Sequence, residues 1–107
     1  MARPIDDPIL LDISPSNAAE RRGRIIHVDV FGNATTNINH DIVRTTVFKD
    51  VKVKGRKIGK LKRTYWDVAP GKPLALVGSS GLLEIAVRDG SAAQQLKLKV
   101  GDEVVLQ

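Results

Sequence analysis

The chain has 107 residues, a length that predicts one domain able to form a hydrophobic core. Apolar residues make up 42% and charged residues 27%, which is a globular composition. Because there is no cysteine, a disulfide framework, a thiolate zinc site and a cysteine nucleophile are excluded. No apolar run approaches the roughly 20 residues that span a bilayer. We therefore expect a soluble protein of a reducing compartment, the cytoplasm.

The net charge of +5 comes from one segment. Residues 49–63, here called the basic hairpin, read KDVKVKGRKIGKLKR and contain eight basic residues and one acidic residue. The rest of the chain has a net charge of −2. Such a segment can follow the phosphates of a nucleic acid or meet an acidic partner. The favoured alternative is a solvated hairpin whose lysines protect a sheet edge from aggregation.

The first 22 residues differ in residue pattern from the rest of the chain. Three prolines interrupt them, so we expect 1–22 to be an irregular approach or linker segment. After this segment, side chains that alternate between two faces predict a strand over Gly23–Val30. The pattern places Ile26, Val28 and Val30 on one face and Ile25, His27 and Asp29 on the other.

Short strands and turns follow in close succession. Thr35–Ile38 predicts a strand, and Asn39 is a suitable cap for a helical turn over 40–43. The basic hairpin alternates valine with lysine on either side of Gly55, which is typical of two paired strands.

The remaining chain continues the same pattern. Ser91 is a suitable cap for a short helix that ends at Leu96. The other segments predicted as strands are Thr64–Val68, Leu74–Val77, Leu82–Val87 and Glu103–Leu106. Short strands about 8–12 residues apart indicate an all-β fold. We predict a small antiparallel β-barrel over 23–107, with one or two short helices.

The sequence contains no recognisable catalytic or metal-binding set. Its two histidines lack metal-ligand spacing, and there is no nucleophile elbow. Polar and aromatic residues do meet in DVFGN, residues 29–33. The Asn33 amide can read a purine edge, and Phe31 or Tyr65 can stack on a flat ring. An alternative is equally supported, in which Asp29 and Asn33 cap a turn and both rings belong to the core.

Three ordered blocks of the chain carry a resemblance to a known family. They are GRIIHVDVFGN with TNI at 23–38, TYWDV with GSSGLLEIAV at 64–87, and GSAA with LKVGD at 90–102. These blocks resemble the C-terminal domain of the S-adenosylmethionine (SAM) hydroxide adenosyltransferases, a family related to the fluorinases and chlorinases. The resemblance implies a small antiparallel β-barrel that binds substrate.

The resemblance also implies an activity and partners. In this family SAM is attacked at its ribose 5′ carbon, which yields adenosine and methionine without a cofactor. We expect the chain to lack the larger N-terminal domain, which supplies the Asp, Arg and His that activate the water, so that the chain alone is inactive. The complete enzymes are trimers, with SAM held between neighbouring subunits. No membrane partner is implied, and nucleic acid is not the favoured ligand.

The family's binding roles transfer to matching positions of this sequence. The resemblance implies that Asp29 holds the methionine ammonium, that Phe31 is an aromatic residue of the adenine pocket and that Asn33 hydrogen-bonds adenine. It also places Tyr65 against the purine face and Ser79 near the methionine end. The remaining substrate-binding positions are Ser80, where halogenases carry Arg, and Val87 and Arg88, which match contacts to the adenine edge. No residue is assigned a catalytic or metal-binding role, and Trp66 has no assigned role.

Overall fold

The structure, a computed structural model, describes residues 21–107 and confirms the predicted all-β class. Almost all of the segment predicted to be irregular lies outside the described residues. The strands are β1 Arg22–Val28, β2 Ala34–Asn39, β3 Val51–Val53, β4 Arg56–Gly59, β5 Pro73–Val77, β6 Leu82–Val87 and β7 Glu103–Leu106. The helices within the described residues are α1 His40–Thr45 and α2 Ala92–Gln95, and a 3-10 turn spans Tyr65–Asp67.

The seven strands form one sheet in the order β4-β3-β7-β1-β2-β6-β5. Every neighbouring pair is antiparallel. Just after β4, Leu61 forms a bridge to Ala75 of β5, and the Lys62 amide donates to the Ala75 carbonyl at 2.8 Å. This contact brings the two edges together, so the sheet is a nearly closed barrel. No helix within residues 21–107 is long and apolar enough to cross a membrane.

The predicted hairpin is present and has a two-residue turn. Val53 pairs with Arg56, and the residues between them, Lys54 and Gly55, have φ angles of 52° and 78°. Positive φ at both central positions is the type I′ geometry that matches the twist of paired strands. The glycine at the corner is therefore explained by backbone geometry.

Strand β1 departs from the predicted alternation. Ile25 is buried, whereas Ile26 is 48% and Val30 94% exposed. A bulge between Ile25 and His27 shifts the pairing with β2 and changes which side chains face the core. The predicted apolar face of Ile26, Val28 and Val30 is therefore wrong, although Val28 packs against the core.

Strands β5 and β6 are covered on both faces. Their inward side chains, including Ala75 and Ile85, belong to the main core. Outward side chains form a second small cluster, to which Val68 adds. The members of that cluster are Leu74, Leu76 and Ala86. Burial on both faces explains the continuous apolar runs of these strands, and it brings the segment before Val68 against the outside of the barrel.

The segment Thr64–Val68 is not the strand that its residue types predict. The Thr64 hydroxyl accepts from the Trp66 amide at 3.1 Å. The Asp67 carboxylate accepts from the amides of Arg63 and Thr64 at 3.0 and 3.2 Å. This reciprocal capping box stabilises a 3-10 turn over Tyr65–Asp67. Local side-chain hydrogen bonds thus outweigh the strand preference of threonine and the aromatic residues.

Both predicted helix caps are confirmed. The Asn39 side chain accepts from the Ile42 amide at 2.9 Å and starts α1. The Ser91 hydroxyl accepts from the Gln94 amide at 3.1 Å and starts α2. Each cap satisfies an amide that lacks a partner within its own helix.

Candidate functional site

The loop after β1 is organised by one carboxylate. Oδ1 of Asp29 accepts from the amides of Phe31 and Asn33, each at 2.9 Å. Oδ2 of Asp29 accepts from the Asn33 side-chain nitrogen at 3.3 Å. Asp29 therefore caps the turn, as one of the two sequence interpretations predicts, and it also orients the Asn33 amide.

Gly32 connects this loop to the start of α2. Its φ of +87° lies in the region that favours glycine, and a Cβ at this position would overlap the Ser91 hydroxyl. The Ala93 amide donates to the Gly32 carbonyl at 2.9 Å. Close approach and positive φ together explain why a glycine stands between Phe31 and Asn33.

Loops from distant parts of the chain surround a cavity of about 480 Å³. This volume lies within the range of small-molecule sites, roughly 300–1,000 Å³. The lining residues are Phe31, Asn33, Tyr65, Trp66, Val87, Arg88, Asp89 and Gly90. The structure thus brings together five of the predicted site residues, because the loop after β1, the 3-10 turn and the end of β6 meet here: they are Phe31, Asn33, Tyr65, Val87 and Arg88.

The aromatic side chains at the cavity are accessible. Phe31 is 75%, Tyr65 37% and Trp66 76% exposed. The alternative prediction that both rings belong to the core is therefore wrong for Phe31. The Tyr65 side chain is partly covered but is not a core residue. Exposed rings around a cavity provide flat apolar surface to a ligand.

Three of the predicted substrate-binding residues lie outside the cavity lining. Asp29 stands behind Asn33, to which it is hydrogen-bonded. Ser79 and Ser80 are exposed in the turn between β5 and β6. These two serines are therefore not gathered with Phe31 and Asn33 around the cavity itself.

Glu84 is a charged residue near the site that is not among the site residues predicted from the sequence. Its half-buried carboxylate lies against Gly78, where a Cβ would overlap it. Burial raises the pKa of Glu84, and the negative charge of Asp29 raises it further. The pKa of the Tyr65 hydroxyl is raised too, by burial and then by the charges of Glu84 and Asp29. A lone carboxylate inside the apolar run LLEIAV was the available signal.

Arg88 is held at the cavity wall by several groups. Its Nη1 donates to the Val68 carbonyl at 2.8 Å, and its Cζ lies 4.5 Å from the centre of the Trp66 ring. The Nε of Arg88 is buried and lacks a hydrogen-bond partner within residues 21–107. Asp89, with its nearest carboxylate oxygen 4.0 Å from that nitrogen, contributes only a long-range charge.

The basic hairpin lies at a sheet edge and makes internal contacts. The Nζ of Lys57 pairs with the Asp50 carboxylate at 3.3 Å, and the Nζ of Lys54 donates to the Lys97 carbonyl at 2.9 Å. The valines of β3 point into the core. These contacts favour the interpretation of the hairpin as a protected edge. Among residues 21–107, no group of three or more potential metal ligands converges.

The domain belongs to the class of nearly closed antiparallel β-barrels, and its aromatic and amide-bearing loops surround a cavity of the size typical of small-molecule sites. Its sequence identifies the family within that class. Residues 23–105 match the family described as the SAM hydroxide adenosyltransferase C-terminal domain. The chain belongs to this family, which confirms the resemblance stated for the sequence.

Two similar proteins carry the name (R)-S-adenosyl-L-methionine hydrolase. The one from Thermus thermophilus is 43% identical over 84 residues, which cover 78% of this chain and 31% of that protein. The one from Methanocaldococcus jannaschii is 32% identical over 93 residues, covering 79% of this chain and 35% of that protein. The chain therefore spans about a third of the length of these relatives.

Solved structures agree with this relationship. A conserved protein of Thermus thermophilus is similar with a TM-score of 0.67 and 40% identity, over 81% of this chain and 35% of that one. A conserved protein of Thermotoga maritima is similar with a TM-score of 0.69 and 36% identity, over 80% and 35% of the two chains. The barrel thus corresponds to one part of larger proteins.

Proposed function

We propose that this domain is the adenine- and methionine-binding part of a SAM hydroxide adenosyltransferase. The observation that carries the proposal is the meeting of Phe31, Asn33 and Tyr65 at one cavity, although up to 34 residues separate them in the sequence. A stable barrel does not require an exposed ring and an amide to converge in this way.

Asn33 is the residue that recognises adenine. Its amide has two N–H groups and one oxygen, and the bond to Asp29 uses one N–H. The oxygen and the second N–H match the donor and acceptor that adenine presents at its N6 and N7 edge. Since Asp29 and the backbone of its loop hold the amide in place, little side-chain freedom is lost on binding.

The methionine end of the substrate is positively charged at its ammonium and sulfonium groups. Two carboxylates lie on this side: the charge of Asp29 helps to raise the pKa of Glu84, and the charges of both help to raise the pKa of Tyr65. Their negative potential favours a cationic ligand on this side of the site. Ser79 and Ser80 lie in the turn after Gly78, against which Glu84 packs, and they contact the methionine end once the substrate fills the region.

The complete reaction needs a second domain. Water or hydroxide attacks the ribose 5′ carbon of SAM, so that a C–O bond forms as the C–S bond breaks. Methionine leaves with the electron pair of the C–S bond as a neutral thioether, and adenosine keeps the new hydroxyl. When water is the nucleophile, one of its protons is lost to solvent. Alignment of the nucleophile with the breaking bond supplies much of the rate. We assign that task to an N-terminal domain, in a trimeric cytoplasmic enzyme in which neighbouring subunits enclose SAM. No cofactor takes part.

Titration of the ¹⁵N-labelled chain with adenosine tests this proposal. A half-enclosed cavity predicts a Kd on the order of millimolar, roughly −4 kcal/mol. Saturable shifts are expected at Asn33 and Tyr65. Asn33→Ala should weaken binding by about tenfold, because a purine edge left without its partner costs about 1–3 kcal/mol.

Asn37→Ala is the matched control. Asn37 is an exposed residue of β2 that does not line the cavity, and its side chain accepts from the Arg24 amide. This variant should bind adenosine like the unmodified chain. Shifts confined to the basic hairpin, with Asn33 and Tyr65 unaffected, would exclude the adenine pocket and would favour polyanion binding instead.

A further inference from the structure

Trp66 is the only tryptophan of the chain and lines the same cavity as Phe31 and Asn33. Although it is the largest side chain at the site, 76% of it is exposed. Its burial therefore contributes little to folding. A large exposed ring on a cavity wall is the kind of surface that ligands use.

The position of Trp66 is fixed by its neighbours in the chain. Its amide donates to the Thr64 hydroxyl at 3.1 Å, and the Asp67 carboxylate closes the same turn by accepting from the Thr64 amide. The Val68 amide donates to the Tyr65 carbonyl at 3.4 Å and ends the turn. A 3-10 turn with both ends satisfied presents the ring from a constrained backbone.

Arg88 covers one face of the Trp66 ring. The guanidinium carbon lies 4.5 Å from the ring centre, which is within the range of a cation–π interaction. Arg88 is itself held by the Val68 carbonyl, and only 21% of its side chain is exposed. The ring is therefore supported from one side and leaves its other face for contact.

We infer that Trp66 is a ligand-binding residue whose free face stacks on the planar ring of the bound nucleoside. The inference rests on the proposed function for the identity of the nucleoside. Stacking depends on the π-face of a base and is tolerant of its identity. Trp66 should thus contribute affinity for any purine, whereas Asn33 distinguishes among purines by their edges.

This division of roles gives a test with two ligands. Adenosine and inosine share the ring system but differ at position 6, where adenosine carries an amino group and inosine an oxygen. Trp66→Ala should weaken both ligands by a similar factor of about tenfold, within the range for base–aromatic stacking. Asn33→Ala should instead reduce the preference for adenosine over inosine. Trp66→Phe should retain most of the affinity.

The single tryptophan also supplies a direct signal. Adenosine should quench the fluorescence of Trp66 with the same Kd that the Asn33 amide shift reports. Val47→Ala is the control, since Val47 is 86% exposed and lies outside the cavity lining. Because Trp66 is exposed, Trp66→Ala should keep a folded, well-dispersed amide spectrum.

The outcomes separate the two proposals. If adenosine shifts Asn33 saturably but Trp66→Ala binds both nucleosides unchanged, the role of Trp66 is overturned and the adenine pocket stands. The same holds if Trp66→Ala changes the adenosine-to-inosine preference instead of the affinity for both. If the unmodified chain gives no saturable shift at Asn33, the adenine pocket fails and the role of Trp66 fails with it.

Discussion

Gly32 lies against Ser91 so closely that a Cβ on the glycine would overlap the serine hydroxyl. The loop that carries Phe31 and Asn33 is thereby in contact with Ser91, the residue that caps α2. This contact holds the loop against a capped helix, so the position of the Asn33 amide depends on a contact between segments almost 60 residues apart.

Gly32→Ala should therefore be strongly destabilising. The positive φ alone costs about 1–3 kcal/mol for a residue other than glycine, and the overlap with Ser91 adds to that cost. Gly71→Ala is the matched control, because Gly71 has a φ of +82° but nothing within 4 Å of an added Cβ. Urea unfolding of both variants should show a larger loss for Gly32→Ala. Equal losses would mean that the Ser91 contact is unimportant.

Glu84→Gln should change how stability depends on pH. The pKa of Glu84 is raised in the folded state by burial and by Asp29, above an ordinary value of 4.5. As the pH rises from that value through the folded pKa, the unfolded chain loses its proton first, so folding becomes less favourable. The glutamine variant lacks this penalty.

Urea unfolding from about pH 4 to about pH 7 measures the effect. The stability of Glu84→Gln relative to the unmodified chain should increase as the pH rises. Glu103→Gln, which removes an exposed carboxylate paired with Arg22, controls for the loss of one negative charge. A stability difference for Glu84→Gln that stays constant with pH would contradict the prediction.

Asp67→Ala should disorder the turn that carries Trp66. Hydrogen bonds from the amides of Arg63 and Thr64 lower the pKa of Asp67 below its ordinary value of 3.8. The stabilisation of the turn by this carboxylate is therefore fully present above the ordinary pKa of 3.8. It is lost as the pH falls through the lowered pKa of the folded state. The emission and anisotropy of Trp66 should change in the variant at neutral pH. Asp41→Ala, in the first turn of α1, should leave both unchanged.

Neutralising the basic hairpin should not affect adenosine binding. The side chains of Lys52, Lys54 and Lys57 lie outside the cavity lining, so changing all three to Gln should keep the adenosine Kd. Binding of single-stranded RNA by the unmodified chain should be weak, since stacking aromatics are absent from residues 49–63. Tight RNA binding with a steep salt dependence would instead support the polyanion interpretation.

A polypeptide of these 107 residues should not hydrolyse SAM. The proposed function assigns alignment and activation of the water to an N-terminal domain, and without them most of the rate is lost. Incubation of the purified chain with SAM should release no adenosine above a matched blank. Release that persists through repeated purification, and that Asn33→Ala abolishes, would contradict the prediction.

Local patterns in the sequence predict much of the fold. The caps Asn39 and Ser91 start helices where expected, and β6 and β7 have their predicted bounds. The hairpin turn at Gly55 also follows from its residues. These features depend on neighbours in the chain, because a cap bonds an amide three residues away and a two-residue turn is set by two φ angles.

Other features were decided only by tertiary structure. The bulge after Ile25, beyond which Val28 and not His27 packs against the core, depends on pairing with β2, and the position of Glu84 depends on its packing against Gly78. Alternation along a strand cannot show where a bulge shifts the register. The sequence by itself, through its blocks, determined the family and the residue types of the site. Only the tertiary structure decided that Phe31, Asn33 and Trp66 share one cavity, because contacts between distant segments are set by the packing of the whole sheet.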